Sequence, residues 1–235
     1  MKRLFLLAAY LLLLCTCKKD DDAYSVGNAD GPKLSDIIRI TSLSTVTPEA
    51  DTVSTSVIGL HINAESASSN RTITMSTTLG NFLNGNKTMT VTADAAGNAQ
   101  AVVRSPLAGD AQITATVKSI SIDTVIHFKP ALPDDMLLTA DNYNSDTSTS
   151  FNLTAAISRN PGRGLPSDPQ KIWFTITPGA GSGGLVYPAF ANTAGHTTTI
   201  AVTNPFKVSG TFKIEAKTLN DKADTIRKNL TIVIK

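Results

Sequence analysis

The chain has 235 residues and a formal net charge of +2 at pH 7, from 21 Lys and Arg against 19 Asp and Glu. Lys2 and Arg3 account for this excess, because residues 17–235 carry 19 basic (21 − 2 = 19) and 19 acidic side chains. Without a basic excess we expect no nucleic-acid partner, since such binding depends on clustered Lys and Arg.

The first predicted element is a secretion signal. Lys2 and Arg3 precede an apolar run of eleven residues, Leu4–Leu14. As a helix this run spans roughly 16 Å, about half of the hydrocarbon core of a membrane. It is too short to cross a membrane and fits a removable signal peptide, which we place at residues 1–16.

Two cysteines follow the apolar run. The sequence Leu14-Cys15-Thr16-Cys17 resembles the lipobox of bacterial lipoproteins, with an apolar residue three positions before the lipidated Cys and a small residue just before it. Cys17 fits this pattern better than Cys15, which has bulky Leu14 in the small position. The resemblance implies acylation of Cys17 and permanent attachment to a membrane, because two or three chains add ~0.8 kcal/mol per buried CH₂. A plain secretory signal with two incidental cysteines is the alternative.

The residues after Cys17 form a predicted tether, over residues 17–33. Lys18-Lys19-Asp20-Asp21-Asp22 resembles Bacteroidota-type lipoproteins, in which an acidic run behind the Cys accompanies export to the outer face of the outer membrane. That resemblance implies a cell-surface location, with the periplasmic face as the alternative. The rest of the segment is polar and aperiodic, and as a random coil it would span roughly 20–25 Å.

From Leu34 onward the chain alternates apolar and polar residues, with turn residues every eight to twelve positions. Ile58, Leu60 and Ile62, for example, alternate with Gly59 and His61. This pattern is typical of an all-β sandwich or barrel, and helix signals are scarce.

The β pattern repeats with a period near 100 residues. That period is the size of an immunoglobulin-like sandwich, so we predict two in tandem, over residues 34–130 and 131–235. The boundary lies at Lys129–Pro133, where two prolines interrupt the pattern. The matching segments are Gly109–Ala115 with Gly210–Ala216, Ile73–Met75 with Ile172–Phe174, and the turns Asp94–Gly97 with Asn192–Gly195.

The first sandwich resembles a known family. Thr92–Ala99 and Ala108–Val117 are similar to the framework of the group 1 bacterial immunoglobulin-like domain, which is repeated in invasin and intimin. The resemblance covers about 90 residues and implies the fold, but no ligand. The second sandwich departs more from the family, with a longer loop at Ser158–Gln170.

The chain carries no recognisable catalytic motif, so we predict a non-enzyme without cofactor or metal. His61, His127 and His196 stand alone, without a second ligand at metal spacing. Asp141–Asp146 offers oxygen ligands for calcium but lacks a Glu at EF-hand spacing. A hydrolase whose residues meet only in space is the competing interpretation.

The predicted binding residues lie in the second sandwich: Trp173, Tyr187, Phe190, Arg159 and Arg163. Trp173 has the outward parity of its strand, and with Tyr187 and Phe190 it would form a sugar-stacking platform. Arg159 and Arg163 belong to the long loop, and loops on a rigid sandwich often carry recognition. The alternative is that Trp173 packs against the domain junction or under that loop.

These observations favour a lipid-anchored surface protein that mediates adhesion or captures a protein or glycan partner. A structural spacer, or an accessory subunit of an outer-membrane assembly, is the alternative. A spacer would have polar loops and no aromatic cluster.

Overall fold

A computed structural model describes residues 37–63, 70–178 and 184–235. The regular secondary structure of these residues is almost entirely β-strand, which confirms the predicted all-β class. The alternation of apolar and polar residues dictates this, because successive side chains of a strand point to opposite faces. The strands are β1 (Ile38–Leu43), β2 (Ser56–Ile62), β3 (Thr72–Thr77), β4 (Asn81–Phe82), β5 (Thr88–Thr92), β6 (Asn98–Arg104), β7 (Gly109–Val117), β8 (Ile120–Phe128), β9 (Asp135–Ala140), β10 (Asn144–Ser145), β11 (Phe151–Ser158), β12 (Lys171–Pro178), β13 (Phe190–Asn192), β14 (Thr197–Val202), β15 (Gly210–Leu219) and β16 (Thr225–Ile234).

Strands β1–β8 form the first sandwich. One sheet has the order β1-β2-β6-β4 and the other the order β5-β3-β7-β8. Between them lies a hydrophobic cluster that runs from Ile38 to Phe128. Ile58, Leu60 and Ile62 are all buried in it, as their alternation requires.

Strands β9–β16 form the second sandwich, with sheets of order β14-β11-β9 and β10-β16-β15-β12-β13. Its own hydrophobic cluster runs from Met136 to Ile234. Residues 38–235 together form one compact unit. The domain boundary predicted at residues 130 and 131 lies between the two clusters and stays a prediction.

The sequence repeat corresponds to a structural repeat, and one of the differences between the two copies lies in a turn. The N–H of Gly97 donates to the carbonyl of Asp94 at 3.0 Å, as in the predicted four-residue turn. The equivalent hairpin of the second sandwich turns at Gly195 and His196, with φ of 61° and 65°. Two consecutive residues with positive φ are the mark of a tight type I′ turn.

Candidate functional site

Four outward side chains lie side by side across the five-stranded sheet of the second sandwich. Trp173 on β12 pairs with Phe190 on β13 and, on its other side, with Lys217 on β15. Lys217 in turn pairs with Arg227 on β16. We call Phe190, Trp173, Lys217 and Arg227 the cation–aromatic row. Register alone places them together, because directly opposite residues on one face have Cβ atoms only about 5 Å apart.

The row is accessible. Phe190 is 50% exposed and Trp173 is half-buried, whereas Ile172 and Phe174 on either side of Trp173 lie in the core. Next to Trp173 is a shallow cavity of about 250 Å³, lined by Trp173, Lys217, Thr218, Leu219 and Thr225.

Lys171 adds a cation above the aromatic half of the row. Its Nζ lies 3.8 Å from the ring centroid of Phe190 and 5.4 Å from that of Trp173. Both distances are within cation–π range, where the negative face of the ring attracts the ammonium group. The rings therefore hold a positive charge at the surface.

The first sandwich has a different row at the equivalent positions. There Thr74 on β3 pairs with Thr90 on β5 and with Thr116 on β7. Thr116 pairs with Ser121 on β8, and their hydroxyl oxygens are 2.8 Å apart. We call Thr90, Thr74, Thr116 and Ser121 the hydroxyl row. The same fold thus presents four hydroxyls in one sandwich and two rings with two cations in the other.

The two equivalent faces also differ in charge. On the hydroxyl-row face the charged outward residues of the strands are Asp110 and Asp123, a charge of −2 with His127 neutral. On the cation–aromatic face the sum is 4 − 1 = +3, and Arg227 is paired with the one acid at 2.7 Å. The charged residues of that face are Lys171, Lys213, Lys217, Arg227 and Glu215.

Tyr187 lies apart from this face. Its ring packs against the hydrophobic cluster of the second sandwich. Its hydroxyl accepts a hydrogen bond from the N–H of Ile176 at 3.0 Å. Of the three predicted aromatic residues, the structure brings together Trp173 and Phe190, whereas Tyr187 packs into the sandwich.

Arg159 lies between the two sandwiches, where its side chain is 0% exposed. It pairs with Glu49 at 2.5 Å and with Asp51 at 3.4 Å, both from the first sandwich, and with Asp221 at 3.2 Å. It also donates to the carbonyl of Arg163 at 2.9 Å. A side chain so enclosed offers no surface to a partner.

Arg163 belongs to the same ion network, with Asp134 and Asp221 as partners. The loop that carries both arginines is bonded to the first sandwich, since the N–H of Leu165 donates to the carbonyl of Asp51 at 3.0 Å. Burial works to raise the pKa of Asp221, but hydrogen bonds from Arg163 and from the N–H of Leu132, together with the charges of both arginines, outweigh it and lower the pKa.

The Asp141 loop uses its oxygens internally. Both carboxylate oxygens of Asp141 accept hydrogen bonds from Asn152, from its N–H and its side-chain amide, each at 2.8 Å. The backbone bond from Asn152 lowers the pKa of Asp141. Within residues 37–63, 70–178 and 184–235, no three His, Cys, Asp or Glu side chains are grouped to hold a metal ion.

The predicted signal peptide, Cys17 and the tether lie outside the described residues. No helix in the described part of the chain is long and apolar enough to span a membrane.

Sequence reasoning missed the basic members of the row, Lys217 and Arg227, and the neighbouring Lys171. A signal existed in the repeat, because offsets of 99 and 101 align Trp173 with Thr74 and Lys217 with Thr116. Such a comparison marks positions where two copies of one framework carry different chemistry.

Two solved structures that share this fold are an adhesin and an integrin-binding protein. The Yersinia pseudotuberculosis adhesin InvE has 19% sequence identity and a TM-score of 0.58, over 85% of this chain and 59% of that chain. Invasin, a bacterial integrin-binding protein, has 15% identity and a TM-score of 0.59, over 84% of this chain and 39% of that chain. This chain therefore spans about three fifths of the first and two fifths of the second.

No protein-family model matches the sequence, and no curated protein does. At these identities the likeness establishes the fold, and the prediction of invasin-type immunoglobulin-like sandwiches is confirmed at that level.

Proposed function

We propose that this chain is a non-catalytic, lipid-anchored protein of the bacterial cell surface, whose second sandwich binds a partner through the cation–aromatic row. The observation that carries the proposal is the contrast between the two sandwiches. Thr90, Thr74, Thr116 and Ser121 satisfy the needs of a solvated sheet, yet the equivalent positions hold Phe190, Trp173, Lys217 and Arg227.

Exposed aromatic residues beside a cation are typical of contact surfaces. Trp, Tyr and Arg dominate the binding energy of protein interfaces, and clustered exposed rings mark binding sites on soluble domains. InvE is named an adhesin and invasin an integrin-binding protein. Their shared fold supports a binding role by analogy, while the row supplies the chemical argument.

The anchor has a direct test. Cells grown with a palmitate analogue should label the wild-type protein, and Cys17→Ala should abolish the label and release the protein from the membrane. Cys15→Ala is the matched control and should stay labelled. Protease added to intact cells should remove the wild-type chain if it faces outward, and should leave it intact if it faces the periplasm.

The binding role is tested by replacing the four side chains of the cation–aromatic row with the side chains of the hydroxyl row. The variant Trp173→Thr, Phe190→Thr, Lys217→Thr, Arg227→Ser carries the hydroxyls that the first sandwich has at these positions, so the fold accommodates them. We expect this row variant to lose binding of purified protein to target cells at least fivefold. Unchanged binding would contradict the proposal.

A structural spacer is the second candidate, and the buried Arg159 favours it. A fully enclosed arginine paired with acids from both sandwiches ties the two together, which suits a spacer that holds a fixed length. If the row variant behaves as wild type while Arg159→Met impairs envelope assembly, the spacer is the better account.

A further inference from the structure

We infer that the ligand of the cation–aromatic row is an acidic glycan, a linear sugar polymer that carries carboxylate or sulfate groups. This inference rests on the proposed function and names the chemical class of the partner.

The row has the dimensions of an extended ligand. Its four side chains stand on four neighbouring strands, so it spans three strand spacings, about 14 Å at ~4.8 Å each. Rings occupy one half and cations the other. A polymer that crosses the strands would meet an apolar surface for its sugar rings and then positive charge for its acidic groups.

The position of Lys171 argues against a neutral sugar. Its ammonium lies 3.8 Å from the centre of the Phe190 ring and so covers part of the surface on which a neutral sugar would stack. An acidic sugar does not need to displace it, because its carboxylate or sulfate pairs with the ammonium while its C–H groups contact Trp173. Charge-assisted hydrogen bonds of this kind are stronger than neutral ones.

The charge of the face points the same way. A chain with 19 basic and 19 acidic residues from residue 17 onward places +3 on this face and −2 on its counterpart in the first sandwich. Because the overall charge is balanced, the positive face is a local arrangement. A positive face attracts polyanions and raises their rate of encounter.

An acidic peptide fits the face less well. In the middle of the row β12 is bonded to β13 and β15, and β15 to β12 and β16, so a peptide that covers Trp173 and Lys217 finds no free backbone edge there. A peptide strand added at β13, which ends the sheet, would lie beside only Phe190 of the four side chains. The cavity beside Trp173 is shallow, whereas peptide anchors fill well-packed, fully desolvated pockets. A broad face with rings and separate cations suits a glycan.

The test is direct binding of the full chain, purified in detergent, at 50 mM NaCl. The probes are heparin as a sulfated glycan, polygalacturonate as a carboxylated glycan, dextran as a neutral glycan and poly-L-glutamate as an acidic peptide. We expect at least one acidic glycan to bind at least fivefold more tightly than both dextran and poly-L-glutamate. Heparin and polygalacturonate together reveal whether sulfate or carboxylate is preferred.

Three variants sharpen the result. The row variant should bind the preferred glycan at least fivefold more weakly, with a cooperative thermal unfolding transition to show that it folds. Glu215→Gln removes the acid that pairs with Arg227 and should tighten binding about twofold or more. Thr90→Ala with Thr116→Ala, in the hydroxyl row, is the matched control and should leave affinity unchanged.

The inference is overturned if dextran or poly-L-glutamate binds within fivefold of the better acidic glycan, or if the row variant keeps its affinity. Its failure is separable from failure of the proposed function. If the row variant loses cell binding but no acidic glycan binds, the partner is of another class and the binding role stands. If the row variant still binds cells, the proposed function itself fails.

Discussion

Replacing Arg159 by Met tests whether the ion network between the sandwiches stabilises the second one. The Met side chain keeps the apolar stem of Arg159 and removes its charge and hydrogen bonds. Arg159 is fully buried and has partners in Glu49 at 2.5 Å, Asp51 at 3.4 Å and Asp221 at 3.2 Å.

The expected loss follows from what the three acids retain. Breaking a buried ion pair by removing one partner costs about 3–5 kcal/mol, because the other charge is left uncompensated. Here Asp51 still accepts hydrogen bonds from the N–H groups of Val53 and Ser54, at 2.9 and 2.6 Å. Glu49 keeps a lysine partner at 3.3 Å, and Asp221 keeps Arg163. We therefore expect the lower end of the range, a loss of about 3 kcal/mol in the free energy of unfolding.

Urea unfolding followed by the fluorescence of Trp173 provides the assay, because Trp173 is the only Trp and lies in the second sandwich. With m values of about 1–3 kcal/mol/M, the midpoint should fall by about 1–3 M. Arg227→Met is the control, since it breaks an exposed pair with Glu215 worth at most about 1 kcal/mol. If Arg159→Met loses no more stability than this control, the reasoning about the junction is refuted.

Three further predictions concern the junction and the core. In urea unfolding, Gly164→Ala should destabilise the chain by at least about 2 kcal/mol more than Gly162→Ala. Both glycines have positive φ, so at either position a side chain costs about 1–2 kcal/mol. Only at Gly164 would the added Cβ also collide with Asp51 and Val53. The pKa of Asp221 is lower in the folded chain, so its stabilisation is complete above the unfolded value of about 3.9 and is lost as pH falls through the folded pKa; the urea midpoint should drop as the pH falls below about 4, and Asp221→Asn should reduce the drop. Tyr187→Phe should cost about 1–2 kcal/mol in thermal or urea unfolding, because it leaves the N–H of Ile176 without its acceptor. Tyr143→Phe should cost less, because the hydroxyl of Tyr143 accepts only an exposed hydrogen bond of 3.4 Å. Equal costs would contradict the assignment of Tyr187 to the core.

The sandwich fold was predictable because its signals are local. Alternation over Ile58–Ile62 sets which side chains are buried, and the offset of 101 between Gly109 and Gly210 aligns β7 with β15. Each signal needs only a few neighbouring residues, and burial then follows from the two-residue period of a strand.

The roles of Arg159 and Arg163 were not predictable in the same way. The acids that bind Arg159 include Glu49, 110 positions earlier in the chain, and no local pattern links the two. From its sequence, a loop rich in Gly, Pro and Arg is expected to be exposed and without contacts to another domain. This loop is instead bonded to the first sandwich through Asp51.

The cation–aromatic row was predictable only in part. The alternation of side chains along the strand indicates that Trp173 points outward. Which residues lie beside Trp173 depends instead on the register of β12 with β13 and β15. Register places Lys217 beside Trp173 at a sequence distance of 44 residues (217 − 173 = 44). Tyr187 is close to Phe190 in sequence and lies elsewhere because its hydroxyl bonds to β12.

Quenching of Trp173 fluorescence tests the binding face most directly, because the single Trp stands within the row. Lys171, Lys217 and Arg227 attract anions, so the ratio of iodide to caesium quenching should be higher for Trp173 than for free tryptophan, and should fall toward the free value at high salt. A saturating acidic glycan, heparin or polygalacturonate, should then protect Trp173 from iodide, while dextran should not. An iodide-to-caesium quenching ratio no higher than that of free tryptophan, or unchanged iodide quenching with both acidic glycans, would contradict the account.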